Sequence, residues 1–460
     1  MPWSSGDSLN SRNLNNMGGN IINVMAHGAV GDGVTDDTAA IQAAINEAST
    51  TSGTEVFLPA GSYKITSSLS LRPNVILRGA GPRLQHATTS KAATVLIRGS
   101  NDTMLLATGT TAARHYGASL RDLTADGITS GFTGTVLDCT RSVGFYTSRF
   151  EVIDNLGMAV YGAEVWDAVF DSLWVRNSGN SGPNVEAIVI SDSTVEGSDR
   201  IAFNNLHSES NRYTHVLLDG AGGSGDINKW IYFNNPKVHD YLTDSELTVP
   251  LLIAKNVNNL QIDSGMFSGG SSGGGSMIQS NASFSRIDAI LDNGEGDYGL
   301  DITGGTRSTY DVTITSVSLG TLVRIGPAAS NTIVRYIRQG TATSSLTDLG
   351  TNSLVVNAQD GKYILDAGKL AMPATGRFYL DGGGDTYLSE VSANQLRMTV
   401  GNVTTLDVTA NALYASNAIS VLSSTAASLP SASSTRGYFY ADSATSLYWV
   451  NGSGVSTLVV

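Results

Sequence analysis

Phe170-Asp171-Ser172-Leu173-Trp174-Val175-Arg176, Phe203-Asn204-Asn205-Leu206-His207-Ser208-Glu209 and Phe233-Asn234-Asn235-Pro236-Lys237-Val238-His239 are three versions of one pattern. An apolar residue ends a strand, two polar turn residues follow, and a second strand restarts with period two. Extended along the chain, the first position is held by Leu120, Thr147, Phe170, Phe203, Phe233, Ile262, Ile287 and Ile314. Successive spacings are 27, 23, 33, 30, 29, 25 and 27 residues, the range of a solenoid repeat. The turn pairs read Arg121-Asp122, Ser148-Arg149, Asp171-Ser172, Asn204-Asn205, Asn234-Asn235, Asp263-Ser264, Asp288-Ala289 and Thr315-Ser316. Asn, Asp and Ser suit such a bend because they tolerate left-handed φ or bond their own backbone. Stacked Asn side chains can also hydrogen-bond from coil to coil. A third strand per repeat follows at Val136-Leu137, Ala159-Val160, Ile188-Val189-Ile190, Val216-Leu217-Leu218, Leu251-Leu252-Ile253 and Met277-Ile278. Three strands in roughly 25 residues is the plan of a right-handed parallel β-helix. About ten coils are expected, stacked over roughly 50 Å at ~4.8 Å per rung.

Upstream of the repeats, Thr35-Asp36-Asp37-Thr38-Ala39-Ala40-Ile41-Gln42-Ala43-Ala44-Ile45-Asn46-Glu47-Ala48-Ser49 has helical period, with Ile41, Ala44, Ile45 and Ala48 on one face. Thr35 or Asp36 is expected to cap a helix over 36–48 that acts as the lid on the first coil. Asp32, Asp36 and Asp37 read as turn and cap residues. Short apolar strands follow at Val56-Phe57-Leu58, Val75-Ile76-Leu77 and Val95-Leu96-Ile97.

Composition agrees with a turn-rich β protein: 51 Gly, 10 Pro and 15% charged residues in 460. A net charge of −13 argues against nucleic acid or anionic membrane as partners, since each needs a basic face. The one cysteine, Cys139, excludes an intrachain disulfide framework and reads as a core thiol. Met1-Pro2-Trp3-Ser4-Ser5-Gly6 has neither a basic nor an apolar signal region, so no secretion signal is expected. No apolar run approaches a membrane span. Gly269-Gly270-Ser271-Ser272-Gly273-Gly274-Gly275 reads as a loop, and no His/Cys spacing suggests zinc, so no metal or cofactor is expected.

Period two also sorts the second strand. Its first and third residues point inward: Phe150/Val152, Leu173/Val175, Pro236/Val238, Gly265/Phe267. The second residues, Thr124, Glu151, Trp174, His207, Lys237 and Met266, and the fourth, Asp126, Ile153, Arg176, Glu209, His239 and Ser268, then form two outward columns ~7 Å apart. An ordinary solvated strand carries Thr, Ser and Lys. This face gathers Glu151, Trp174, Arg176, His207, Glu209, Lys237 and His239. Insertions at 177–186, 192–199, 220–228 and 240–249 are expected to wall a groove. Hydrolysis of a glycan would use Glu209 with Glu151 or Asp154 as the second carboxyl group. β-Elimination would use His207, Lys237 or His239 as base and Arg176 as neutraliser of a uronate. Trp174 offers a sugar platform, and Arg176, Lys237 and Asp240 complete the substrate contacts. The plainer reading is a salt-bridged surface without function.

Asn23-Val24-Met25-Ala26-His27-Gly28-Ala29-Val30-Gly31-Asp32-Gly33-Val34-Thr35-Asp36-Asp37-Thr38-Ala39-Ala40-Ile41-Gln42-Ala43-Ala44-Ile45 resembles the N-terminal signature of pectate-lyase-superfamily β-helices. Val56-Phe57-Leu58-Pro59-Ala60-Gly61-Ser62-Tyr63-Lys64-Ile65 and Val75-Ile76-Leu77-Arg78-Gly79-Ala80-Gly81 continue the likeness. The opening Trp3-Ser4-Ser5-Gly6-Asp7-Ser8-Leu9-Asn10-Ser11-Arg12-Asn13-Leu14-Asn15 and Phe378-Tyr379-Leu380-Asp381-Gly382-Gly383-Gly384-Asp385-Thr386-Tyr387-Leu388 are similar to segments of phage tail proteins and fibres. The resemblance implies a tailspike: a homotrimer on a virion tail or baseplate that binds, and often cleaves, a bacterial surface polysaccharide. A receptor-binding spike without catalysis, or a structural fibre, stays open. The expected organisation is an arm at 1–22, the capped β-helix at 23–340, connecting strands or linker at 341–376, and a trimerising or glycan-binding β module at 377–460.

Overall fold

The computed structural model describes residues 21–358, apart from 51–53, 84–92, 129–130, 181–184, 193–195, 221–228, 240–248, 270–275, 293–296, 316–320 and 340–344. Beyond these it describes the strand segments 362–364, 377–379, 387–392, 395–400, 403–409, 413–415, 437–442, 446–450 and 456–458. Contacts divide the chain into two units, Met1–Ala367 and Gly368–Val460.

The first unit is a right-handed parallel β-helix. One ladder climbs through Ile22, Val56, Leu77, Leu120, Thr147, Phe170, Phe203, Phe233, Ile262, Ile287, Tyr310, Val334 and Val355, thirteen rungs among the described residues. All of its pairings are parallel. The third-strand ladder runs in step through Leu69, Leu105, Leu137, Val160, Ile188, Val216, Leu252, Ile278, Leu300 and Val323. Apolar residues of the ladders meet in one continuous core. Phe170, Phe203 and Phe233 stack within it at 4.8 and 4.7 Å between ring centroids, nearly coplanar.

The bends follow the expected chemistry for six coils. Asp122, Arg149, Ser172, Asn205, Asn235 and Ser264 all have left-handed φ, between 49° and 59°. The Asn235 side-chain amide donates to Asn205 Oδ1 at 3.1 Å, one coil below. Above Ser264 the bend disappears. Arg286–Asp292 and Thr309–Ile314 run straight, with Ile287 on Tyr310 and Leu291 on Ile314. The expected match of Ile314 to Ile287, with a turn at Thr315-Ser316, is therefore four residues late. Tyr310, Val312 and Ile314 alternate inward through a strand that does not turn, so the turn template found a false match. Parallel stacking continues past residue 340, through Ser345–Asp348 and Leu354–Asn357.

The helix spans Thr38–Ala48, and Ile41, Ala44, Ile45 and Ala48 are wholly buried over Ile21–Asn23, Glu55–Leu58 and Leu69–Ser70. Its start differs from expectation in one respect. Thr35 does not cap it, because Asp32 binds both the backbone N–H and the hydroxyl of Thr35. Asp36 accepts from the Thr38 N–H at 3.1 Å, while Asp37 binds the N–H groups of Val30 and Gly31. The acidic cluster is thus spent on backbone N–H groups and threonine hydroxyls.

The second unit is an antiparallel meander. Arg377–Tyr379, Tyr387–Ser392, Gln395–Val400, Val403–Thr409, Leu413–Ala415, Gly437–Asp442, Ser446–Val450 and Ser456–Leu458 each pair with the next.

Candidate functional site

The two outward columns form in the expected register. Thr124, Glu151, Trp174, His207, Lys237 and Met266 are successive ladder partners, as are Asp126, Ile153, Arg176, Glu209, His239 and Ser268. The inward partners Phe150, Val152, Leu173, Val175, Val238 and Phe267 are at most 1% exposed.

The lower end of the patch is closed. Glu151 is only 2% exposed, and Thr124 and Ile153 are buried beside it. The segment Gly81-Pro82-Arg83 lies across them: the Arg83 N–H donates to Thr124 Oγ1 at 2.7 Å, and its guanidinium pairs with Asp126 at 3.1 Å. Glu151 accepts from the Thr124 hydroxyl at 2.8 Å and has Arg176 at 3.5 Å. Burial raises its pKa, against the opposing pull of Thr124 and Arg176.

Asp154 does not join the patch. It occupies a corner with φ 54° and accepts from the Asn177 amide at 2.9 Å. Asp240 lies outside the described residues, as does much of the four insertions.

The centre of the patch is a three-group cluster. His207 Nε2 lies 2.7 Å from His239 Nε2, and Glu209 Oε2 is 3.3 Å from the first and 3.4 Å from the second. The hydrogen bond from His207, followed by the nearby charges of His207, His239 and Arg176, lowers the Glu209 pKa against the effect of partial burial. Burial, then the charges of His207 and Lys237, pushes His239 down to about 4. The Trp174 and His207 rings meet at 4.6 Å with a 58° tilt, and Trp174, Arg176, His207, Glu209 and Lys237 all keep partial access to solvent. The cluster therefore offers an ionised carboxylate, two imidazoles, flanking cations and an aromatic edge on one face. It presents three metal-ligating atoms at one point, which are the residues among those described that could hold an ion.

Two features escape a reading of the pattern. Ser208 points inward where apolar residues are the rule, and binds a buried His215-Asn211 pair: Ser208 Oγ is 3.0 Å from His215 Nδ1 and accepts from Asn211 at 2.8 Å. This polar plug supports the rung that carries His207 and Glu209 from inside. The other is a hollow of about 260 Å³ lined by Trp230, Tyr232, Asn259, Gln261, Phe284 and Arg286. Trp230 and Phe284 are 60% and 50% exposed with left-handed φ of 60° and 53°, costly for bulky side chains. Their only sequence signal is an aromatic residue at or just before the start of a strand.

Residues 21–235 match the family described as Rhamnogalacturonase A/epimerase, pectate lyase-like. Mannuronan C5-epimerase AlgE5 of Azotobacter vinelandii is 48% identical over 66 residues, which are 13% of this chain and 7% of that protein. The chain thus spans only a small part of this curated relative. Among solved structures, ORF18 of Geobacillus virus E2 has a TM-score of 0.60 at 19% identity, covering 96% of this chain and 86% of its own. The gp42 tailspike of Acinetobacter phage vb_AbaP_AS12 has a TM-score of 0.51 at 11% identity, covering 96% and 82%. No helix among the described residues is long and apolar enough to cross a membrane. Residues 21–235 thus resemble a pectate-lyase-like family, and the ladder architecture makes the chain a right-handed parallel β-helix, a fold like that of ORF18 and the gp42 tailspike.

Proposed function

We propose that the chain is a virion-tail protein that binds an acidic surface polysaccharide of a bacterial host and cleaves it by β-elimination at the His207–Glu209–His239 cluster. One observation carries this reading: a carboxylate, two imidazoles, Arg176, Lys237 and Trp174 occupy one outward face of successive rungs. The likeness to a phage tailspike and the match to a lyase- and epimerase-related family support it.

Geometry favours elimination over hydrolysis. A glycosidase needs two carboxyl groups that both reach the scissile bond, at most about 9.5 Å apart. Glu151 and Glu209 stand two rungs and two strand positions apart, with Trp174 and Arg176 on the rung between them. Glu151 also lies beneath Arg83 and behind Arg176, closed to substrate. In elimination, Arg176 neutralises the uronate carboxylate, which acidifies the C5 proton. The base, Lys237 or the His207–Glu209 pair, removes that proton. Its electron pair forms the C4–C5 double bond, and the glycosidic oxygen leaves C4 and takes up a proton from water. Trp174 stacks on a neighbouring sugar.

Residues 377–460 serve in this reading as the trimerising module. A single antiparallel sheet needs a second layer to cover it, and two further copies of the chain supply one.

The test is incubation with panels of capsule and lipopolysaccharide, following both reducing ends and the absorbance of unsaturated uronate. Elimination yields both signals. Reducing ends without absorbance would refute elimination, and binding without either signal would identify a non-catalytic receptor-binding spike.

A further inference from the structure

We infer that His207 Nε2, Glu209 Oε2 and His239 Nε2 form a binding site for a divalent transition-metal ion. An ion bound to imidazole nitrogen and carboxylate oxygen at about 2.0–2.2 Å holds its ligand atoms roughly 3.4 Å apart at tetrahedral angles and 2.9 Å apart at octahedral ones. The two nitrogen–oxygen separations here, 3.3 and 3.4 Å, match the tetrahedral value, and the 2.7 Å between the two nitrogens needs to open by only a few tenths of an ångström.

Proton sharing explains the cluster less well. Two Nε2 atoms in contact hold at most one proton between them without placing N–H against N–H. One proton serves one pair of acceptors, whereas a cation serves three lone pairs at once. The frame is also rigid. His207 and Glu209 flank the inward Ser208, itself fastened to the buried Asn211 and His215, and His239 is the ladder partner of Glu209 one rung on. Side chains placed two apart on one strand face, with a third from the next strand, are preorganised on a β-ladder.

The ligand set selects the metal. Two imidazoles and one carboxylate suit Zn²⁺, Co²⁺, Mn²⁺ or Fe²⁺, while Ca²⁺ and Mg²⁺ prefer all-oxygen sites. Three protein ligands leave coordination positions open, the arrangement of catalytic rather than structural sites. Those positions lie on the outward strand face beside the partly exposed Trp174, Arg176 and Lys237. On the glycan reading above, the ion would bind the uronate carboxylate together with Arg176. His207 would be committed to the metal and Lys237 left as the base. That role rests on the polysaccharide proposal; metal occupancy does not.

The experiment uses the full chain, stripped with chelator and titrated with Zn²⁺ by calorimetry and with Co²⁺ by visible absorption. Wild type should take one ion per chain and give Co²⁺ ligand-field bands, and a millimolar excess of Ca²⁺ should not displace it. His239→Gln and the isosteric Glu209→Gln should each weaken binding by more than about 100-fold, beyond the range for loss of an outer-shell partner. His27→Gln, remote from the cluster, should bind as wild type does. Circular dichroism separates loss of ligand from loss of fold. Wild-type binding no tighter than that of folded His239→Gln or Glu209→Gln, or displacement by Ca²⁺, would overturn the inference. Because no glycan enters this assay, its failure is distinct from failure of the polysaccharide reading.

Discussion

Phe203→Ala should be among the most damaging single substitutions in the β-helix. Its ring is wholly buried and lies between Phe170 at 4.8 Å and Phe233 at 4.7 Å, tilted by only 10° and 6° from them. Removing a buried phenyl ring costs about 3–5 kcal/mol through lost transfer energy and the cavity left behind. Two stacked neighbours, each worth about 0.5–1.5 kcal/mol beyond burial, place this site in the upper half of that range. The rungs on either side are held by continuous backbone ladders, so the cavity has little freedom to collapse. Urea unfolding followed by far-ultraviolet circular dichroism measures the loss, and Phe203→Leu, which keeps most of the volume, should lose less than half as much. A double-mutant cycle between positions 203 and 233 should return a coupling of about 1 kcal/mol. A Phe203→Ala loss below about 1.5 kcal/mol, or strict additivity in the cycle, would refute the view that the stacked column is a principal support of the solenoid.

Ile45→Asp should lower the melting temperature sharply, because it buries an unpaired carboxylate between the helix and the first coil; unchanged melting would show that the helix is not a lid. Stability should fall with acid through His215, whose ordinary pKa of 6.5 burial pushes down to about 3. The neutral ring's contribution is complete above pH 6.5 and is lost as the pH falls toward 3, about 2 kcal/mol of it by pH 5; His215→Gln should flatten that limb of the stability profile, and an unchanged profile would contradict it. A chain ending at residue 367 should sediment as monomer or as a weakened trimer, and an intact trimer would remove residues 377–460 from the assembly role.

The fold was legible because each coil repeats the same physical problem. Asn204-Asn205 and Asn234-Asn235 mark a bend that demands left-handed φ, and Phe203 and Phe233 mark the core side of it. Alternation then assigned Trp174, His207 and Glu209 to the outside correctly. Legibility ended where a coil stopped bending: beyond Ser264 the strands straighten, and Ile314 was paired four residues out of register. It also ended where remote chain covers a strand. Nothing in the spacing of Glu151 reveals that Arg83 docks on its neighbours Thr124 and Asp126, because that contact joins segments 41 residues apart with no shared period. Asp154 was misjudged because a corner residue leaves the alternation that governs strands. The convergence of His207, Glu209 and His239 was visible only as proximity, since backbone register places Cα atoms and leaves rotamers to packing.

Glu209→Gln tests the role of the outward face around Glu209. The substitution keeps the shape of the side chain and removes its charge. With an acidic capsular polysaccharide that the wild type cleaves, this variant should keep the β-strand circular-dichroism signal while formation of unsaturated uronate falls by at least about 100-fold, the lower end of the 10²–10⁴ that one acid–base group contributes. Cleavage at the wild-type rate by folded Glu209→Gln would contradict the account and leave the patch a salt-bridged surface.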